Sequence, residues 1–95
     1  RRWEAALADA EALLAADPLN EAAARLTMGC HWALGQREAA RRCYDAFRQQ
    51  VHHELQTDPL PETTDLYRRI MRGEPHPDLT PPSIDHALAA QAAHL

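Results

Sequence analysis

Five cysteine and histidine side chains, the types that bind zinc most readily, lie between residues 30 and 53: Cys30, His31, Cys43, His52 and His53. Two thiolates and an imidazole could hold zinc. Cys30 and Cys43 lie on the expected core faces of two helices joined by a short turn, so they could face each other. His31, however, lies about 100° from Cys30 around a helix and points elsewhere. We therefore expect two buried cysteines that act as small hydrophobic side chains, and no metal site.

No catalytic constellation follows from the remaining polar residues. The sequence has no glycine-rich phosphate loop and no nucleophile with an obvious base. Glu54 follows His52 and His53, but adjacent residues of a helix point in different directions. The sequence thus predicts a protein that is not an enzyme and that binds no cofactor.

The basic residues are all arginine, and the formal net charge of the 95-residue chain is −4. Arg68, Arg69 and Arg72 form a basic cluster near a predicted helix end, where the helix dipole favours cations. Such a cluster could contact DNA phosphate in a full-length protein. The acidic balance of the chain argues against nucleic-acid binding as its main role.

Apolar periodicity predicts four principal helices, the first two separated by a proline. Apolar residues recur at helical spacing from Trp3 to Leu14. Asp17-Pro18 ends this first helix, because the residue before proline is disfavoured in the α region. The second helix should be capped by Asp17 or Asn20 and run to Leu34.

The next two helices are delimited by glycine and proline. Gly35 should end the second helix, and the third should run from about Arg37 to Leu55. So short a turn makes these two helices antiparallel neighbours. Pro61 suits the first position of a fourth helix, which should end at Gly73. Residues 1–73 then form a helical domain, 74–82 a proline-rich linker, and 83–95 a short fifth helix or the start of a further linker.

The same periodicity predicts which residues form the core. They lie on one face of each helix, and together they are Leu7, Leu14, Leu26, Cys30, Leu34, Ala40, Tyr44, Phe47, Leu66, Tyr67 and Ile70.

The second helix carries apolar residues on a further face. Measured from Leu26 at 100° per residue, Met28, Trp32 and Arg25 fall at about 200°, 240° and 260°. This face could pack on the fourth helix or on the C-terminal segment. Alternatively, it could be an exposed contact surface for another protein, since Trp, Met and Arg are enriched at interfaces.

Asp-Pro occurs at residues 17–18 and 58–59, each time after a predicted helix, a pattern that resembles tetratricopeptide repeats. The third helix is about two turns longer than the second helix of such a repeat. With this elongation, "DPLNEAA", "ALGQREAARRCYDAF" and "PLPETTDLYRRI" resemble, in this order, the bacterial transcriptional activator domain. The resemblance covers about residues 2–73. The chain departs from that family at Gln56 (usually Gly), Leu60 (usually Ser, able to cap a helix) and Thr27 (commonly Leu).

The resemblance implies an all-α, tetratricopeptide-like fold and a non-catalytic role. Such modules follow a winged-helix DNA-binding domain and mediate self-association or contact with the transcription machinery. DNA would then be bound only through that separate domain, and this chain would be a piece of a longer regulator. A scaffold or sensor segment of a signalling ATPase or nucleotide cyclase is the alternative. No apolar run reaches the ~20 residues of a membrane span, and no signal peptide is recognised, so we expect a cytoplasmic protein.

Overall fold

The first two helices are separated by a turn that uses both acidic and amide side chains. In the computed structural model, which describes residues 2–77, α1 spans Arg2–Ala16 and α2 spans Glu21–Ala33. The Asp17 carboxylate accepts a hydrogen bond from the backbone N–H of Leu19 (3.2 Å). Asn20 is the N-cap of α2, and its side chain accepts from the backbone N–H of Ala23 (3.0 Å). Of the two residues expected to cap α2, Asn20 therefore does so.

The second turn depends on glycine. Gly35 has a φ of 72°, which a residue without Cβ adopts at little cost, and its N–H donates to the carbonyl of Trp32 (3.0 Å). The chain reverses there, and α3 spans Arg37–Leu55 as predicted. α3 ends at Gln56, which adopts the left-handed conformation itself (φ 50°). Gln56 thus takes the conformation that glycine adopts most easily.

The fourth helix, α4, spans Pro61–Met71, with Pro61 in its first turn. The chain leaves it through Gly73, whose φ is 76°. Residues 2–77 are thus all-α, with four helices packed as tetratricopeptide-like antiparallel hairpins. α2 lies centrally, since it contacts α1, α3 and α4. The predicted fifth helix at 83–95 lies outside the described residues.

Two clusters of buried side chains hold these helices together. The first joins α2, α3 and α4 through Met28, Ala40, Tyr44 and Ile70. Within it the rings of Tyr44 and Tyr67 stack with their centroids 4.0 Å apart. The second cluster contains Ala24, Phe47 and Val51, with Leu14 and Leu19 against it.

All but one of the predicted core residues are buried or half-buried. Five are buried: Cys30, Ala40, Tyr44, Phe47 and Ile70. Five are half-buried: Leu7, Leu14, Leu34, Leu66 and Tyr67. The prediction for Leu26 is wrong, because its side chain is 46% exposed. The buried side of α2 is rotated toward Thr27 and Met28, which places Leu26 on the outer face of the helix.

Candidate protein-interaction surfaces

The expected contact face of α2, made of Arg25, Met28 and Trp32, lies against the rest of the domain. Met28 is fully buried among Ala40, Tyr44 and Ile70, so it cannot be an exposed contact residue. In the structure, this face of α2 packs on α4 instead, which is the other interpretation given above. Because α4 lies on this side of α2, the two helices share one core.

Arg25 belongs to a polar network between α2 and α4. Its guanidinium donates to the hydroxyl of Thr63 (3.1 Å). The Thr63 hydroxyl in turn donates to the carboxylate of Glu21 (2.5 Å), which also accepts from the backbone N–H of Leu60 (2.6 Å). Leu60 has no side-chain oxygen to cap α4, and Glu21 of α2 supplies a carboxylate at that helix end instead. Arg25 and Thr63 thus have partners inside the domain.

Trp32 is half-buried and surrounded by charged and aromatic groups. Its indole N–H donates to the backbone carbonyl of Glu74 (2.7 Å), and the Arg69 guanidinium lies 5.2 Å from its ring centroid. The ring of His76 meets both Trp32 and Trp3 edge-on, with centroids 4.9 Å apart in each pair. The residues that follow α4 therefore fold back over the indole of Trp32. We call residues 74–76 the strap.

The basic cluster of α4 is paired with carboxylates. Arg69 and Arg72 both donate to Glu74 (3.2 Å and 2.6 Å), and Arg68 lies 3.7 Å from Asp65. The hydrogen bond from Arg72, followed by that from Arg69, holds the pKa of Glu74 below its usual value. These pairs leave less uncompensated positive charge for a phosphate group than the sequence alone implies.

The arginines of α3 also pair along their own helix. Arg41 donates to Glu38 (2.6 Å) and to Asp45 (3.1 Å). The hydrogen bond from Arg41 lowers the pKa of Glu38. Arg42, the residue after Arg41, makes no ion pair with Glu38 and acts on it only through a longer-range attraction.

Cys30 and Cys43 are both free thiols. Burial raises the pKa of Cys30, and burial together with the nearby charge of Glu11 raises that of Cys43 to about 11. The Cys43 thiol lies 3.9 Å from the carbonyl oxygen of Ala24. Residues 2–77 contain no group of three or more His, Cys, Asp or Glu side chains that could hold a metal ion.

An open groove lies between α1 and α3, and the apolar periodicity of the sequence does not predict it. Its floor is formed by Thr27 and His31 of α2. Its walls are formed by Glu11, Leu14 and Ala15 of α1 and by Ala39, Arg42 and Cys43 of α3. The cavity has a volume of about 490 Å³, and a second of about 180 Å³ adjoins it at Leu14 and Cys43 and reaches Phe47. We call the two adjoining cavities together the α1–α3 groove. No short sequence pattern points to it, because it forms only when α1 and α3 both pack on α2.

The family model of the bacterial transcriptional activator domain matches residues 1–71. The chain belongs to this family. No curated protein and no solved structure shows a significant match to the chain.

The family match places the strap just beyond the recognised domain. The match ends at Met71, the last residue of α4. Glu74 and His76 follow it, yet they contact Trp32 and Trp3, which lie within the matched bacterial transcriptional activator domain. None of the helices within residues 2–77 is both long enough and apolar enough to cross a bilayer.

Proposed function

We propose that this chain is a non-catalytic protein-interaction module of a bacterial transcription regulator, and that it associates with itself or with the transcription machinery. The observation that carries the proposal is the α1–α3 groove. Leu14, Cys43 and Phe47 line it, while charged side chains stand at its edges. An apolar centre with a polar rim is the anatomy of a protein interface.

The family supports the transcriptional part of this proposal, and it favours that role over a scaffold in a signalling ATPase or nucleotide cyclase. The polar side chains of the domain support the non-catalytic part. The hydroxyl of Thr63 accepts from Arg25 and donates to Glu21, which joins α2 to α4. Arg41 pairs with Glu38 and Asp45 on the surface of α3. These groups therefore stabilise helix packing and a helix surface.

DNA contact is proposed to occur through a separate winged-helix domain. The formal net charge of −4 and the pairing of Arg69 and Arg72 with Glu74 support this division of roles. A strongly salt-dependent affinity for duplex DNA, which phosphate contacts would produce, is not expected of this chain. The location that fits a partner of RNA polymerase is the cytoplasm.

The proposal is tested by obstructing the groove. Ala46 is exposed and lines the smaller cavity, so Ala46→Arg places a long charged side chain in the groove without disturbing the core. Gln49→Arg, on the same helix and exposed but outside the groove lining, is the matched control.

The measurement is binding of the fluorescently labelled chain to unlabelled chain and to purified bacterial RNA polymerase. We expect binding to at least one of them, a weakening of about tenfold or more in Ala46→Arg, and no change in Gln49→Arg. Absence of binding to both, with the chain folded, contradicts the proposed function.

A further inference from the structure

We propose that the α1–α3 groove binds the same groove of a second copy of this chain, with Glu11 of each copy paired to Arg42 of the other. This inference rests on the proposed interaction function and names its partner. It follows from three features of the groove: its two charges, their placement on opposite walls, and the small side chains around them.

The two charges lie on opposite walls of the same cavity. Glu11 is on the α1 wall and Arg42 on the α3 wall, and both are exposed. Within residues 2–77 neither side chain makes a hydrogen bond or an ion pair, whereas the neighbouring Arg41 is bonded to Glu38 and Asp45. Arg42 acts on Glu38 only through a longer-range attraction. Among the described residues, the groove therefore presents an unpaired negative charge on one side and an unpaired positive charge on the other.

Such a groove is complementary to itself. When two copies face each other about a two-fold axis that runs along the groove, α1 of one copy lies opposite α3 of the other. Glu11 and Arg42 line one cavity, and Glu11 also lies close enough to Cys43, the residue next to Arg42, to act on its thiol. We infer that the two charges lie at a similar level along the groove. The rotation then brings each Glu11 to the partner's Arg42, and the contact occurs twice. A two-fold axis across the groove would instead bring Glu11 against Glu11, so the charges select the first orientation.

The surroundings of the charges allow two helical surfaces to approach closely. The outer side of α1 carries Ala8, Ala12 and Ala15, all exposed, and α3 contributes the exposed Ala46. Methyl side chains leave little steric obstruction between facing helices. The half-buried side chains of Leu14 and Cys43, which line the groove, would lie at the centre of the contact, with the charged pairs at its edges.

Charge exchange on the full chain tests the pairing. Sedimentation equilibrium gives the dissociation constant of the homodimer for the unchanged chain, for Glu11→Arg, for Arg42→Glu and for the double variant. In each single variant both attractive contacts become repulsive, so we expect the dissociation constant to rise about tenfold or more. The double variant restores opposite charges at both contacts and should dimerise like the unchanged chain.

A mixture of the two single variants gives the sharpest test. Glu11→Arg carries arginine at both positions of the pair, and Arg42→Glu carries glutamate at both. Opposite charges therefore meet at both contacts between the two variants, so an equimolar mixture should form a heterodimer although neither variant dimerises well alone. The matched controls are Asp9→Arg and Arg48→Glu, which make the same kind of charge change on the same helices at exposed positions outside the groove lining. Both should dimerise like the unchanged chain, and all variants should keep the helical circular dichroism.

The inference is overturned if the single variants dimerise normally, if their mixture stays monomeric, or if the unchanged chain is monomeric at high concentration. A normal dimer in every variant would place self-association on another surface and leave the proposed function intact. A monomeric unchanged chain that still binds RNA polymerase would leave the machinery contact standing. Loss of both interactions would end the proposed function as well.

Discussion

Glu21, at the start of α2, accepts a hydrogen bond from the hydroxyl of Thr63 in the first turn of α4, with the two oxygens 2.5 Å apart. The same carboxylate oxygen accepts from the backbone N–H of Leu60, at the N-cap of α4. A residue 39 positions earlier in the chain thus accepts from the N-cap N–H, as a glutamate at the third position of α4 would do in a capping box. This contact also fixes the start of α4 against the start of α2.

We predict that Glu21→Ala lowers the free energy of unfolding by about 1–3 kcal/mol, since it leaves the buried Thr63 hydroxyl and the Leu60 N–H without their acceptor. Urea denaturation followed by circular dichroism measures the loss. Glu62→Ala, an exposed acidic residue in the first turn of α4, is the control and should cost only a few tenths of a kcal/mol. Equal losses in both variants would mean that only the helix dipole matters.

Met28 and Leu26 provide a paired test of how α2 is rotated. Met28 is fully buried and Leu26 is 46% exposed, although they lie only two positions apart on one helix. We predict that Met28→Ala costs about 2–4 kcal/mol of unfolding free energy, and that Leu26→Ala costs less than about 1 kcal/mol. Urea unfolding of both variants checks the difference. A larger loss at Leu26 would show that α2 is rotated the other way.

The rotation of α2 could not be predicted from its sequence, for a physical reason. α2 contacts three helices, so apolar or small side chains cover most of its circumference. Ala and Gly are found equally well in the core and on the surface, so they do not mark the buried side of the helix. The large apolar residue Leu26 then determines the predicted core face. Thr27 is a polar residue on the buried side of α2. Its hydroxyl can be buried because it donates to the carbonyl of Ala23 on the same helix (2.8 Å), so its polarity does not indicate an exposed position.

The helix limits were predictable because they depend on local chemistry. Proline at 18 and 61 and glycine at 35 and 73 mark turns whatever packs against them. The bond of Glu21 to α4 and the groove between α1 and α3 depend on how distant segments pack. Neither has a signature in a short window of sequence.

Trp32 tests whether the strap is part of the domain. Because Trp32 packs on the first core cluster and donates to Glu74, we predict that Trp32→Ala lowers the free energy of unfolding by about 2–4 kcal/mol. Trp32→Phe should keep most of the packing and lose about 1 kcal/mol with the hydrogen bond. The indole is thus expected to stabilise the fold rather than to contact another protein. Unchanged stability with weakened self-association in Trp32→Ala would restore Trp32 as a contact residue.

Gln56 ends α3 in the left-handed conformation, which costs a residue with a Cβ about 1 kcal/mol relative to glycine. We predict that Gln56→Gly raises the free energy of unfolding by up to about 1 kcal/mol, reduced by the loss of the side-chain bond to the carbonyl of His53 (3.0 Å). Thermal and urea unfolding measure the gain. The comparison is Gln49→Gly, inside α3, which should destabilise by about 1 kcal/mol. A loss at both positions would show that the His53 bond outweighs the backbone strain.

Cys43 connects burial to reactivity. Its pKa is raised to about 11 from an ordinary value of 9.0, chiefly by burial, so at pH 8 the folded chain holds roughly a hundredfold less thiolate at this position than the unfolded chain. We predict correspondingly slow alkylation by iodoacetamide at pH 8, measured by mass spectrometry of the modified peptide, with the urea-unfolded chain as the control. Because the folded state retains its proton longer, stability should fall as pH rises from about 9 to 11, and less so in Cys43→Ala. Alkylation of the folded chain as fast as that of the unfolded chain would show an accessible, ionised thiol and would reopen the question of a metal site at Cys43.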